Sequence, residues 1–104
     1  MLLNTHRYSA GDIVCFKLVN GDEVVARIKT DANDEFVVTK PCTVLPSPKG
    51  IGLVQSLFTA VSETEIHLRK DHVLMHSEVV KEISDYYLQT VTGIKPTSAS
   101  GIIT

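Results

Sequence analysis

The dipeptide Asn20-Gly21, set between two stretches of alternating polarity, constrains this chain more than any other feature. Both residues tolerate the positive φ angles of a tight hairpin turn, which sends a strand straight back along itself. Before the turn, the run from Ile13 to Val19 puts Val14, Phe16 and Leu18 on one face. After it, Glu23 to Thr30 puts Val24, Ala26 and Ile28 on one face, with Glu23, Arg27 and Lys29 among the residues facing the other way. A period of two is the mark of a half-buried strand, so the chain is expected to open with a β-hairpin.

Three more strand-like segments follow. Asp31-Ala32-Asn33-Asp34 is a polar turn, and residues 35–45 read as a third strand. Pro41 lies inside it and cannot donate a ladder hydrogen bond, so it marks an edge, a bulge or a bend. Pro46 to Gly50 is a loop, and residues 51–61 read as a fourth strand. The apolar residues of that strand are dense, which fits burial on both faces or pairing with another subunit. Glu63-Thr64 turns the chain into a fifth segment, Glu65 to Met75.

The period then changes. Val79, Val80, Ile83, Tyr87, Leu88 and Val91 recur at three- and four-residue steps, as on one face of an amphipathic helix. Ser77 is read as its N-cap, Glu78 as an acid of the first turn, and Gly93 as the stop, which gives a helix over about residues 77–92. Tyr87 is expected in the core or packed against a neighbouring subunit, and Tyr86 at its rim. The Pro-, Ser-, Thr- and Gly-containing segment 94–104 is expected to be a flexible tail.

At 104 residues the chain is read as one domain, residues 1–93, with strands over about 12–75. A hydrophobic fraction of 43% excludes a disordered chain, and its weight in Val and Ile favours β structure. The expected fold is mainly β: a five-stranded, strongly bent antiparallel barrel with a C-terminal α-helix. No apolar run is long enough to span a membrane, and the first residues lack a signal peptide's long apolar segment. Cys15 and Cys42 form no CxxC pair and sit in apolar strands, so they are read as core thiols of a reducing compartment. The expectation is a cytoplasmic protein without a membrane partner.

A formal net charge of −2 excludes the whole-chain basic field of a nonspecific DNA binder, but not a local basic patch repeated around an oligomer. His67, His72 and His76 cluster in sequence without the converging thiolate or carboxylate ligands that zinc requires. There is no GxSxG and no Walker loop. Neither an enzyme, a metal nor a cofactor is expected.

Leu18, Gly21, Ala26 and Ile28 resemble the first sequence motif of the Sm/LSm/Hfq superfamily, with Ala in place of its usual second Gly. The run Leu68-Arg69-Lys70-Asp71-His72-Val73 resembles the second, an aliphatic–Arg–Gly–Asp–Asn–Val run, with Lys for Gly and His for Asn. The likeness covers roughly residues 12–75, and is to the short Sm-like proteins of marine phage (cyanophage) origin. Two departures stand out. The family places its helix before the first strand, and its base-binding Asp-x-x-Met-Asn is not intact in Asp31-Ala32-Asn33-Asp34-Glu35-Phe36.

The resemblance implies a homo-oligomeric ring of roughly five to seven subunits, closed by pairing the fourth strand of one copy with the fifth of the next. It implies single-stranded RNA as the partner, with a role in RNA processing or regulation, and single-stranded DNA as a further target. The residues it assigns to nucleic acid are Arg69, Lys70, Asn33, Asp71 and Phe36. Arg69 and Lys70 would contact phosphates near the pore, and Asn33 a base edge. Without the likeness, Arg69-Lys70 reads as a solvated strand end paired with Asp71. The rival reading is a phage structural or adaptor protein that uses the same barrel for protein–protein assembly without nucleic acid.

Overall fold

The computed structural model describes residues 7–57, 59–61 and 64–92. Six strands precede one helix: β1 (Ile13–Leu18), β2 (Glu23–Asp31), β3 (Glu35–Ser47), β4 (Gly50–Gln55), β5 (Glu65–Arg69), β6 (Val73–Glu78) and α1 (Lys81–Thr92). A single 3-10 turn, Lys70–His72, joins β5 to β6. All pairings are antiparallel, in the order β4-β3-β2-β1-β6, with β5 also on β3. The expected hairpin is β1–β2, and Gly21 takes the positive φ of +95° that its turn requires.

Strand β3 organises the rest. One edge carries β2, paired from Phe36 to Thr43. The other is shared: Glu35–Thr39 pair with β5, and Cys42–Ser47 pair with β4. The handover falls on Lys40 and Pro41, both set opposite Ala26, since Arg27 pairs with Thr39 and Val25 with Cys42. Two residues facing one make a β-bulge, and a bulge bends and twists its strand. Pro41 therefore does mark a bend. Lys40 adopts a φ of +51°, unusual for a side chain with a Cβ. The second irregularity in the β2–β3 pairing leaves Lys29 unmatched, and a third, in β1–β6, leaves Leu74 unmatched. Together these bends curl the sheet.

The curled sheet encloses Val14, Phe16, Ala26, Ile28, Phe36 and Val38, all at most 1% exposed, with Leu18, Ile66, Leu68 and Val73 packed against them. This is the face read from the alternation of β1 and β2. The opposite face of β1–β3 is covered by α1. Tyr87, fully buried, packs with Val25 and Cys42, flanked by Val79, Ile83, Leu88 and Val91. Tyr87 is core and Tyr86 its 38%-exposed rim, as the helical spacing implies.

Several boundaries are corrected. The fourth strand ends at Gln55, not at residue 61, because the β3 edge passes to β5 beyond the bend; Leu57 lies outside it and is exposed. Within one chain β4 is not buried on both faces, since Ile51 and Val54 are exposed. The fifth segment splits into β5 and β6 at the 3-10 turn, so the described residues form six strands and not five. No ladder joins β6 to β4 or β5 among the described residues, and the sheet is not closed. The helix starts at Lys81: Ser77 is not its N-cap and Glu78 not its first turn, because both are taken up by pairing with Cys15 and Val14. Gly93 and the tail lie outside the described residues.

Candidate nucleic-acid interface

One end of the curled sheet gathers the end of β2, the polar turn, the β5–β6 corner and the segment that enters β1. The turn is held by the Ala32 N–H donating to Glu35 O (3.0 Å). The corner is tied to it by the Lys70 N–H donating to Asp34 O at 2.9 Å. The entering segment is fixed by the Gly11 N–H on Ile28 O and the Ile28 N–H on Asp12 O, both 2.8 Å. These backbone bonds bring residues 7, 31, 33 and 70 within side-chain reach of one another.

The centre is Asp31, whose side chain is only 5% exposed. Lys70 Nζ donates to its Oδ1 at 2.6 Å, and the Tyr8 N–H donates to its Oδ2 at 2.9 Å. The Arg7 guanidinium stands 3.8 Å from Oδ1, donates through Nη1 to the Asp31 carbonyl, and through Nη2 to Asn33 Oδ1 at 2.7 Å. Burial alone raises the Asp31 carboxyl. The Lys70 and Tyr8 hydrogen bonds and the charges of Lys70 and Arg7 outweigh it and hold the group below the usual carboxylate range.

The residues expected to touch nucleic acid fare differently. Asn33 and Lys70 both join the Asp31 cluster. Lys70 is 31% exposed, and its ammonium also lies 4.6 Å from the Phe36 ring centroid. Phe36 is 1% exposed and stacks among Phe16, Tyr8 and His76, so it is a core ring and offers no open face for a base. Arg69 is exposed and forked onto Asp71, at 3.2 Å through Nε and 3.0 Å through Nη2. The Asp71 hydrogen bond and charge, with Asp34 and Glu35 nearby, push Arg69 up, and the Arg69 hydrogen bond holds Asp71 down. The solvated ion pair read without the family likeness is therefore the geometry of this pair.

Below the corner, Phe36, Lys70, Val73, Leu74, Met75 and His76 line a 350 Å³ pocket. His76 Nδ1 shares a 2.7 Å hydrogen bond with the Tyr8 hydroxyl. His67 and His72 point elsewhere: His67 pairs with Glu35 at 3.0 Å, and His72 lies 4.0 Å from Asp71. No three metal-ligating side chains converge among the described residues. Cys42 is buried, which pushes its thiol up to about 11 and leaves it inert at neutral pH.

Sequence reasoning missed Arg7, Tyr8 and Asp31 as members of this cluster. Arg7 and Tyr8 lie in a lead-in with no periodicity, and they meet Asp31 across 23 or 24 residues. The one available signal was an acid at the end of an alternating strand, where burial demands a partner.

No protein-family model matches the chain, and none of the curated proteins matches it.

Proposed function

We propose that this chain is an Sm-like subunit that closes into a homo-oligomeric ring and binds single-stranded RNA along the rim around Asp31. The observation that carries the reading is the β5–β6 corner. Leu68–Val73, the run that resembles the family's second motif, forms a strand, a 3-10 turn and a strand, with the Lys70 N–H bonded to the turn that holds Asn33 and Asp34. That arrangement supports placing basic and amide side chains from two elements at one end of the barrel.

Assembly is supported by the sheet edges. Among the described residues the outer edges of β4 and β6 carry no partner strand, and an unpaired edge is a template for another strand. Large apolar side chains are exposed along both: Ile51 and Val54 on β4, Leu74 and Met75 on β6. An edge-to-edge contact between unlike edges is heterologous, and it closes into a ring when the rotation permits. A ring repeats each local charge in a circle, which lets a chain of net charge −2 attract a polyanion.

Protein–protein assembly without nucleic acid is the second reading. It is favoured by the pairing of Arg69 with Asp71 and of Lys70 with Asp31, which gives each of the two expected phosphate ligands a carboxylate partner within the chain. Light scattering of the purified protein, alone and with oligo-U, separates the two. The RNA reading predicts one oligomeric mass that increases by whole oligonucleotides. A ring whose mass oligo-U leaves unchanged, at low salt and high concentration, rejects it in favour of assembly alone.

A further inference from the structure

We propose that Arg7, not Arg69, is the residue that engages the phosphodiester backbone, and that it does so together with Lys70 and the Asn33 amide. The inference rests on the RNA-binding reading above and deepens it by naming the atoms that meet the ligand.

Local charge decides between the two arginines. Arg69 faces one carboxylate directly, at 3.0 Å, and two more acids, Asp34 and Glu35, contribute to its surroundings. A phosphate approaching Arg69 therefore meets a net negative neighbourhood. Around Asp31 the balance is reversed. Arg7 and Lys70 approach the same carboxylate oxygen, at 3.8 and 2.6 Å. Two cations share one anion, so one positive charge is left over at the rim. Half of the Arg7 side chain, 51%, is open to solvent, and so is 31% of Lys70. Arginine also has five N–H donors in a planar fork; Asp31 and Asn33 take one from each Nη, which leaves donors on an exposed group.

Arg7 also sets what Asn33 offers. It occupies Asn33 Oδ1 at 2.7 Å, and among the described residues the amide nitrogen of Asn33 has no partner. Asn33 therefore presents an N–H₂ group and no acceptor. Guanidinium, ammonium and amide N–H₂ are the donors presented outward, with the one carboxylate, Asp31, only 5% exposed beneath them, and that suits phosphate oxygens. The set holds no acceptor for the 2′-hydroxyl proton and Arg7 is assigned to phosphate, which both polymers share, so oligo-U and oligo-dT should depend on Arg7 equally.

The test is fluorescence titration of labelled oligo-U and oligo-dT across a salt series, comparing the wild-type chain with Arg7→Gln, Asn33→Asp and Arg69→Gln. Arg7→Gln should weaken both ligands roughly tenfold at low salt, and the slope of log K against log salt should become shallower by about 0.7 for each Arg7 in contact. Asn33→Asp keeps an acceptor for Arg7 but exchanges the outward donor for a carboxylate. It should weaken binding at an unchanged melting temperature, an outcome that a purely structural role for this side chain would not give. Arg69→Gln should leave affinity and slope as they are. Loss of binding in Arg69→Gln with none in Arg7→Gln overturns the assignment while leaving the RNA reading in place. Wild-type protein that binds neither oligonucleotide removes the reading itself.

Discussion

Strand β3 passes through two places where polar groups must be satisfied away from water, and they are satisfied in different ways. At the bend, the Thr39 and Lys40 carbonyls both face the Tyr87 hydroxyl, at 3.1 and 2.8 Å, under the cover of α1. At the N-terminal end, the strand abuts the Asp31 cluster, where a buried carboxylate is balanced by Lys70, Arg7 and a backbone N–H. The bend is neutral: burial raises the Tyr87 hydroxyl far above physiological pH, so it stays a donor. The rim is ionic, and its pairing depends on pH and salt. The first device fixes the shape of the sheet. The second fixes a shape and leaves charge at the surface, which is what a binding site requires.

The largest effect that would break this comparison is at the bend. Tyr87→Ala removes a fully buried ring from between α1 and the sheet and strips two carbonyls of their donor. It should cost about 3–5 kcal/mol, measured by denaturant unfolding. Tyr87→Phe keeps the ring and should cost about 1–2 kcal/mol, the penalty of leaving buried acceptors unsatisfied. Neither loss should vary between pH 5 and pH 8, because no charge is involved.

Next in size is Asp31→Asn. It leaves Lys70 and Arg7 without their shared anion and should destabilise by about 2–3 kcal/mol, between the values for exposed and buried pairs. The sign of its pH dependence follows from the depressed carboxyl. The native state holds the ionised form more tightly than the unfolded chain, whose pKa is about 3.9. The stabilisation is therefore complete above about pH 5 and is lost as pH falls through the lower native value. Wild-type melting temperatures should drop towards acid more steeply than those of Asp31→Asn; parallel curves would show that the cluster contributes nothing.

The smallest effect sharpens the picture of the bend. Lys40→Gly removes the Cβ from a φ of +51° and should stabilise by about 0.5 kcal/mol, once the greater freedom of Gly in the unfolded chain is subtracted. A loss of stability would mean that Lys40 makes a contribution beyond its backbone.

What could be read from the sequence followed local physics. The alternation around Asn20-Gly21 gave the hairpin and its buried face, because Val14, Phe16, Ala26 and Ile28 need only a period of two to reveal them. Pro41 announced the bend because a missing N–H has only a few places to go. The fourth strand was drawn too long because its apolar residues continue past Gln55 while the ladder does not: the shared edge of β3 is a tertiary fact. Ser77 has the chemistry of a cap, yet pairing with Cys15 prevails, since a strand's ladder bonds outweigh one cap. At the candidate site, Asn33 and Lys70, singled out by the family resemblance, both join the Asp31 cluster, whereas Phe36, assigned to nucleic acid by the same resemblance, is 1% exposed in the core. Arg7 carried no local signal, as its role comes from a contact across the fold.

The most direct test of the central claim, that the rim holds surplus positive charge for a phosphate backbone, is the affinity of the wild-type protein for oligo-U measured against salt. The account predicts a straight line of negative slope in log K against log salt, about 0.7 per phosphate contacted. A flat line, or no binding at low salt, would contradict it.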